Sequence, residues 1–352
     1  MDTAAMHEEA WPYVLTLLPP NFDEAARKTQ ALVRCRKVPN AAALLRLALA
    51  YAVSDLSLKD VAAWAHAMQV VEITGPGLFY RLREAEGWLQ EVLAGVLQAD
   101  LAPAPTGIVG RLRIVDATVI TGPGSVGTDW RVHAAVDPLA GTLRAVQVTD
   151  AHTGESFERF PIEAGDIVLG DRGYARAPGI AAVQAAQAHV LVRVSPACIR
   201  LCDPQRQVLR LDTMAAAVPQ IGSREWPILV PVPPNPRGKG WPLSQATDWI
   251  SARLIGGRTS QGEVIWLLTT VPQEELPAMQ VMRLYRLRWQ VELAFKRLKS
   301  LLHLDALPSR HGPTAKSWLL ARLLAAALAQ RLANPAGPFS PWGYALREAT
   351  DS

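Results

Sequence analysis

The chain has 352 residues, of which 49% are hydrophobic and 19% charged, so it can bury a sizeable core and form two or three domains. Its net charge of +4 is compatible with a polyanionic partner without requiring one. The N-terminal segment MDTAAMHEEAW lacks an apolar secretory core. The apolar stretches Ala41–Val53 and Trp318–Leu328 contain arginines and are too short to cross a bilayer. We therefore expect a soluble, cytoplasmic protein with no membrane partner.

Residues from about Asp23 to Leu101 are typical of helices. The run NAAALLRLALAYAV predicts a helix capped by Asn40, and LSLKDVAAWAHAM predicts a second one capped by Ser57. After the turn-rich segment ITGPG, the run LFYRLREAEGWLQEVLAGVL predicts a third helix, with Arg81 and Arg83 near its start. This order is typical of a helix-turn-helix-like unit, in which Arg81 and Arg83 would contact DNA, and it fits a plain helical bundle equally well. We assign residues 1–105 to a helical N-terminal DNA-binding region.

A Pro/Gly-rich linker at Ala102–Gly110 is followed by a change from helical to strand periodicity. The segments RLRIVDATVI, DWRVHAAVDP and GTLRAVQVTD predict three strands, the last two joined by a turn at Pro138–Gly141. A buried strand in DIVLGDRGY, an amphipathic helix in APGIAAVQAAQAH and a strand in VLVRVSP come next. Three consecutive strands followed by strand and helix alternation is the order expected of an RNase H-like α/β domain. We assign residues 106–196 to the first part of this catalytic core.

Residues 197–262 interrupt that pattern, because they are rich in Pro and Gly and contain short β-type pieces: QVLRLDT, WPILVPV and WISARLI. We predict a β-rich insertion here, not a separate folding domain. EVIWLLTTV then resumes the core, and Pro277–Leu302 predicts one long helix, so residues 263–334 form the second part of the core. Residues 335–352 are predicted to form a flexible tail. The expected fold is thus an α/β, RNase H-like mixed sheet with flanking helices, the insertion and the helical N-terminal domain.

Three cysteines, Cys35, Cys198 and Cys202, are too few and too irregularly spaced for a disulfide framework, which indicates a reducing compartment. Cys198 and Cys202 are four residues apart, but no second pair at zinc-finger spacing follows. We favour small, partly buried apolar residues over a metal site at this pair.

Two aspartates stand where a metal-dependent phosphoryl transfer site needs them. Asp116 interrupts the apolar strand RLRIVDATVI, where an unpartnered charge is costly to bury. Asp171 follows DIVLG at a strand-to-loop edge, where sites of α/β proteins lie. Taken alone, Asp116 could be a turn residue or part of a buried salt bridge, and Asp171 an ordinary turn residue.

The third carboxylate lies in LYRLRWQVELAFKRLKSLL. Here Tyr285, Arg288, Glu292 and Lys299 have offsets of 0, 3, 7 and 14, which places them within an arc of roughly 60° on a helix. Glu292 would hold metal, while Arg288 and Lys299 would bind phosphate. A solvated face with internal ion pairs is the alternative. Residues 281–300 oppose it, because they contain six basic residues and one acidic residue, which favours an external anion.

At these residues the chain resembles the transposases of the IS4-type insertion-sequence family, which belong to the DDE class with an RNase H-like core. The family signature of Tyr, two residues, Arg, three residues, Glu, six residues and Lys is matched without a gap by residues 285–299. Asp116-Ala117-Thr118 is similar to the first family motif, and Asp171-Arg172-Gly173-Tyr174 is similar to the second. The resemblance extends over about residues 40–330.

The resemblance implies a DNA transposase that performs cut-and-paste transposition through a hairpin intermediate. Asp116, Asp171 and Glu292 would be catalytic and would bind two Mg²⁺ ions, with Mn²⁺ as a substitute. The partners would be transposon-end DNA with terminal inverted repeats, target DNA and a second copy of the chain in a homodimer on DNA.

Tyr285 and Arg288 would contact phosphate near a flipped base, for which Trp266 is similar in position to the family's stacking tryptophan. A buried strand tryptophan is the other interpretation of Trp266. Two alternative functions are a catalytically silent DNA-binding regulator derived from a transposase, which should have lost a carboxylate, and a stand-alone RNase H-like nuclease, which would need neither the N-terminal helices nor the insertion.

Overall fold

The computed structural model describes residues 11–333, except for residues 55, 100–110, 123, 126, 128, 139–141, 197, 236–239, 260, 289–306 and 309–311. The described chain contains seventeen named helices and strands, besides short 3₁₀ turns. The helices are α1 (Phe22–Lys28), α2 (Ala41–Val53), α3 (Leu58–Ala67), α4 (Gly75–Glu84), α5 (Glu86–Ala99), α6 (Ala177–Ala185), α7 (Leu211–Met214), α8 (Ala278–Tyr285) and α9 (Gly312–Ala333). The strands are β1 (Leu112–Ile120), β2 (Trp130–Asp137), β3 (Thr142–Asp150), β4 (Ile167–Gly170), β5 (His189–Val194), β6 (Ser223–Val232), β7 (Asp248–Arg258) and β8 (Val264–Thr269).

The N-terminal helices begin at the predicted caps. The Asn40 side chain accepts a hydrogen bond from the Ala43 amide at the start of α2. Ser57 and Asp60 form a reciprocal capping box at the start of α3. Both interactions satisfy amide groups that a helix N-terminus leaves without a partner.

The prediction of a third helix in this region was wrong in two respects. The helix α4 begins at Gly75, inside the segment predicted to be a turn, because the Thr74 side chain caps it and a proline in its first turn fits helical geometry. The expected single helix is also divided, because α4 ends at Glu84 and α5 begins at Glu86.

The sheet has eight strands in the order β3-β2-β1-β4-β5-β8-β7-β6. The strand β2 runs antiparallel to β1 and β3, whereas β4 is parallel to β1 and β5 is parallel to β4. Five strands in the order 3-2-1-4-5, with only the second reversed, form the mixed sheet of an RNase H-like core. The predicted fold class is confirmed.

The predicted insertion extends this sheet. Its strands β6 and β7 pair antiparallel, and β7 pairs with β8, which in turn lies against β5. The expected strand piece at residues 207–213 was wrong, since α7 begins at Leu211 and only an isolated bridge joins Val208 to Cys202. Cys202 is buried, Cys198 is partly buried and all three cysteines are free, so no disulfide is present.

A single long helix was expected over residues 277–302. Its first segment is α8, which ends at Tyr285. Amides of Arg286 and Leu287 bond to carbonyls three residues earlier, at Arg283 and Leu284, as in a tightened final turn. The remainder of the expected helix lies largely outside the described residues.

The apolar core lies on both faces of the sheet. On one face, a cluster joins the N-terminal helices, α8 and α9 to the sheet, and on the other a second cluster lies beneath α6 and the insertion. Helix α9 packs against α5, α2 and α4, and the Ser317 hydroxyl donates to the Leu82 carbonyl across this contact. The two sides of the predicted boundary at residues 105 and 106 therefore share one core. The division into domains stays a prediction. Over the described residues, no helix has both the length and the apolar character needed to span a membrane.

Candidate active site

The two predicted catalytic aspartates lie side by side on parallel strands. Asp116 is in the middle of β1, opposite Ala134 of β2. On its other side β1 pairs with β4 in the register Ile114 to Leu169. Continuing that register by two residues places Asp116 beside Asp171, on strands separated by about 4.8 Å. The sheet therefore holds two carboxylates together at the carboxyl end of β4.

Asp116 is an electrostatically strained carboxylate. Burial raises its pKa to about 6, and the nearby charges of Glu155 and Asp171 add to the rise. A 2.8 Å hydrogen bond from the Ala117 amide and the charge of Arg288 oppose it. Two interacting carboxylates that a hydrogen bond and one guanidinium only partly compensate provide hard oxygen donors for a cation.

The end of α8 covers both aspartates. The Tyr285 hydroxyl donates a 3.2 Å hydrogen bond to Oδ1 of Asp171, and burial together with the Asp171 charge raises the pKa of Tyr285. Arg288 Nη1 lies 3.9 Å from Oδ2 of Asp116. The predicted signature thus brings its first two members to the two predicted aspartates, three residues apart on the chain.

The other two members of the signature, Glu292 and Lys299, lie outside the described residues. Within the part of the chain that the structure describes, no three His, Cys, Asp or Glu side chains are grouped to hold a metal ion. The carboxylates of Asp116 and Asp171 are oxygen donors of the kind that a hard divalent cation prefers, and their role as metal ligands stays a prediction.

Residues 108–328 match the family described as Transposase DDE domain. Over 94% of its length the chain is 34% identical to InsL of insertion sequence element IS186A from Escherichia coli (strain K12), a protein assigned as a transposase, and it covers 96% of that protein. The transposase for insertion sequence element IS421 of Escherichia coli is 34% identical with the same coverage. The chain belongs to the IS4-type DDE transposases.

This membership confirms the predicted family and the predicted activity. The protein is a DNA transposase, an enzyme of DNA cleavage and strand transfer, and DDE transposases use divalent metal ions. A solved piggyBac transposase synaptic complex with hairpin DNA aligns with 84% of this chain and 72% of that chain, at 9% identity and a TM-score of 0.38. A score this low does not support a fold assignment, which rests on the strand order of the sheet.

Trp266 of the transposase lies in the core on β8, only 7% exposed. Its ring packs 5.6 Å from that of Trp226, and its edge lies against Gly256 of β7. Along β8 it points to the face of the second core cluster, whereas Ile265 and Leu267 point toward α8. Trp266 therefore packs as a buried strand tryptophan in this structure. A base-stacking role for Trp266 stays a prediction.

Arg81 and Arg83 lie on α4, away from the aspartates. Arg81 donates a 2.8 Å hydrogen bond to the Arg34 carbonyl, and Arg83 pairs with Glu84 at 2.6 Å while its guanidinium stacks over Tyr80. Arg81 also lines a cleft of about 640 Å³ beside the start of α4. DNA contact by these arginines stays a prediction.

Glu155 is an acidic residue at this site that the sequence did not indicate. It follows β3 in the loop HTGES, is near enough to raise the pKa of Asp116, and its carboxylate occupies the space in front of Gly173. No spacing rule linked Glu155 to Asp116, since the loop brings it there only after the sheet has formed.

Proposed function

We propose that this transposase moves an insertion sequence by a cut-and-paste reaction. It nicks each end of the element, forms a hairpin by attack of the freed 3′-hydroxyl on the opposite strand, and joins the 3′ ends to target DNA after the hairpin is opened. The observation that supports this proposal is the pair Asp116 and Asp171, adjacent on parallel strands, with Tyr285 and Arg288 directly over them.

Asp116, Asp171 and Glu292 are the carboxylates that would hold two Mg²⁺ ions, for which Mn²⁺ would substitute. Bound metal of this kind activates the attacking oxygen and stabilises the leaving oxygen of a phosphoryl transfer. The crowding of Asp116 and Asp171 fits this role, because the charge repulsion between them is relieved by a cation.

The remaining signature residues bind and orient the DNA. The guanidinium of Arg288, which partly neutralises Asp116, can also bind phosphate oxygens with two parallel hydrogen bonds. Lys299 adds a second positive charge for the phosphate backbone. Tyr285 holds the Asp171 carboxylate through its hydroxyl, and it would contact a phosphate near the flipped base.

The proposed partners are transposon ends carrying terminal inverted repeats, target DNA, and a second copy of the chain in a homodimer formed on DNA in the cytoplasm. The N-terminal helices α3 and α4 would bind the ends through a helix-turn-helix-like arrangement, with Arg81 and Arg83 contacting phosphate.

The test is cleavage of a labelled duplex that carries the element's own end. With Mg²⁺, wild type should produce a nick and then a hairpin, and Asp116→Asn, Asp171→Asn and Glu292→Gln should each produce neither while still binding the duplex. Binding without cleavage by wild type, with Mg²⁺ or Mn²⁺, would show a silent regulator instead. Cleavage of any duplex without hairpin or strand transfer would show a stand-alone nuclease.

A further inference from the structure

A short loop near the N-terminus presents three basic side chains to solvent. Residues 33–37, with the sequence VRCRK, are all exposed, and we call them the basic loop. They lie between Leu32 and Val38, which are 4% and 0% exposed and belong to the apolar core. The basic loop is therefore anchored at both ends, although it is neither helix nor strand.

A side chain of α4 also holds the basic loop. The guanidinium of Arg81 donates a 2.8 Å hydrogen bond to the carbonyl of Arg34. Lys37 and Arg81 line the cleft of about 640 Å³ at the start of α4, together with Tyr80 and with His66 of α3. The basic loop thus lies beside the helices α3 and α4 and shares a solvent-accessible surface with them.

The positive charge of this surface is not balanced within the fold. Residues 25–54 contain six basic residues and no acidic one. Neither the three basic residues of the loop nor Arg81 forms an ion pair with any carboxylate that the structure describes. Glu72, which lines the cleft, lies 3.8 Å from His66 instead. Like charges held close together repel one another, so this surface favours an external anion.

We infer that the basic loop is a binding surface for the phosphate backbone of duplex DNA, and that it holds the transposon end beside the segment contacted by α3 and α4. The second part rests on the proposed function, which assigns the ends to these helices. Phosphate contacts fix the orientation and register of a helix-turn-helix-like unit on its duplex. Because the core and Arg81 anchor the basic loop before DNA arrives, less entropy is lost when these contacts form.

The salt dependence of DNA binding tests this inference, measured with Ca²⁺ in place of Mg²⁺. The triple variant Arg34→Gln, Arg36→Gln and Lys37→Gln should lower the slope of log K against log salt concentration by about 2.7, because each phosphate contact contributes about 0.9. Binding of the end duplex should weaken about a hundredfold at about 0.1 M salt, and the difference should shrink as salt rises. Lysine at positions 34 and 36 keeps the charge and should retain the slope.

A charge-matched control separates this surface from the net charge of the protein. The combined variant Arg206→Gln, Arg210→Gln and Arg224→Gln removes three exposed arginines of the insertion and changes the net charge equally. Its slope should stay close to that of wild type. An equal fall in slope in this control would overturn the inference. So would equal losses in the glutamine and lysine variants of the basic loop with a lower melting temperature, since that pattern shows a structural role.

Cys35, in the middle of the basic loop, reports which DNA lies against it. Its side chain is exposed, whereas Cys198 is partly buried and Cys202 is buried. Thiol-reactive tethers on single phosphates of the end duplex should couple to Cys35 at one or two neighbouring positions, and Cys35→Ser should abolish this coupling. Coupling spread evenly along both the end duplex and an unrelated duplex would contradict the assignment to transposon ends.

The inference and the proposed function fail in different ways. An unchanged slope in the triple variant of the basic loop would overturn the inference and leave end binding by α3 and α4 intact. Failure of wild type to bind any duplex would contradict the proposed function itself.

Discussion

The hydroxyl of Tyr285 donates a 3.2 Å hydrogen bond to Oδ1 of Asp171, which joins the end of α8 to the end of β4. Three residues later, Nη1 of Arg288 lies 3.9 Å from Oδ2 of Asp116 on the neighbouring strand. One turn of chain therefore provides a hydrogen-bond donor to Asp171 and a positive charge to Asp116. Both contacts hold the carboxylates that the proposed reaction needs side by side.

Removal of the Tyr285 hydroxyl tests this contact. Tyr285→Phe should lower the free energy of unfolding by about 1–2 kcal/mol in EDTA, because Asp171 loses a hydrogen bond to a charged oxygen. Urea unfolding measures the change. Tyr80→Phe is the matched control, since the Tyr80 side chain is 56% exposed, and it should have no effect. Equal stability of Tyr285→Phe and wild type would show that the bond does not form in solution.

The ionised, buried carboxylate of Asp116 should destabilise the folded protein at neutral pH. Its folded pKa of about 6 lies above its ordinary value of 3.8, so the folded protein binds more protons than the unfolded chain between these values. Stability from this group is complete below pH 3.8 and is lost as pH rises through 6. Asp116→Asn should therefore raise the metal-free stability at pH 8 by up to about 3 kcal/mol, with no gain near pH 4.

Urea unfolding in EDTA at several pH values measures this effect. Asp212→Asn, at an exposed position, is the control and should leave the free energy of unfolding close to that of wild type. A variant Asp116→Asn less stable than wild type at pH 8 would contradict the predicted strain.

His133 should give the opposite pH dependence. Burial and the charges of Arg159 and Arg131 lower its pKa to about 4, below the ordinary 6.5, so the unfolded chain binds the extra proton in that range. The His133 contribution should fall by about 3 kcal/mol as pH falls from 6.5 to 4, so the stability of wild type relative to His133→Gln should decrease by that amount over this range. Replacement of the exposed His66 by Gln is the control. Parallel stability curves for wild type and His133→Gln would refute the prediction.

Trp266 should act as a core residue. Trp266→Ala should lower the free energy of unfolding by about 3–5 kcal/mol, whereas Trp249→Ala, which removes a half-buried ring under Arg206, should cost about 1 kcal/mol. Chemical denaturation of both variants measures this difference. A Trp266→Ala protein of normal stability that fails to form hairpins would instead restore the base-stacking interpretation.

Much of the catalytic sheet could be predicted from the sequence, because its signals are local. Asn40 and Ser57 cap the helices that follow them, and strand periodicity located β1, β2 and β3. The motif spacing also located Asp116 and Asp171, since a charge within an apolar strand and a charge at its end are both visible locally.

The contacts between distant segments could not be predicted in the same way. Glu155 reaches the site only because the loop after β3 brings it beside Asp116 and Gly173. The packing of α9 among the N-terminal helices depends on long-range apolar contacts that no local pattern specifies. The side of the sheet to which the Trp266 ring points depends on the register of β8, because a shift of one residue moves a side chain to the opposite face.

The most direct test of the metal site is a change of ligand from oxygen to sulfur. Mg²⁺ prefers oxygen ligands, whereas sulfur binds transition metals more readily. Asp116→Cys and Asp171→Cys should each abolish cleavage of the transposon-end duplex with Mg²⁺ and recover part of it with Mn²⁺, while Arg288→Cys should show no selective recovery. Cleavage by Asp116→Cys and Asp171→Cys at the wild-type rate with Mg²⁺ would contradict the assignment of these two aspartates as metal ligands.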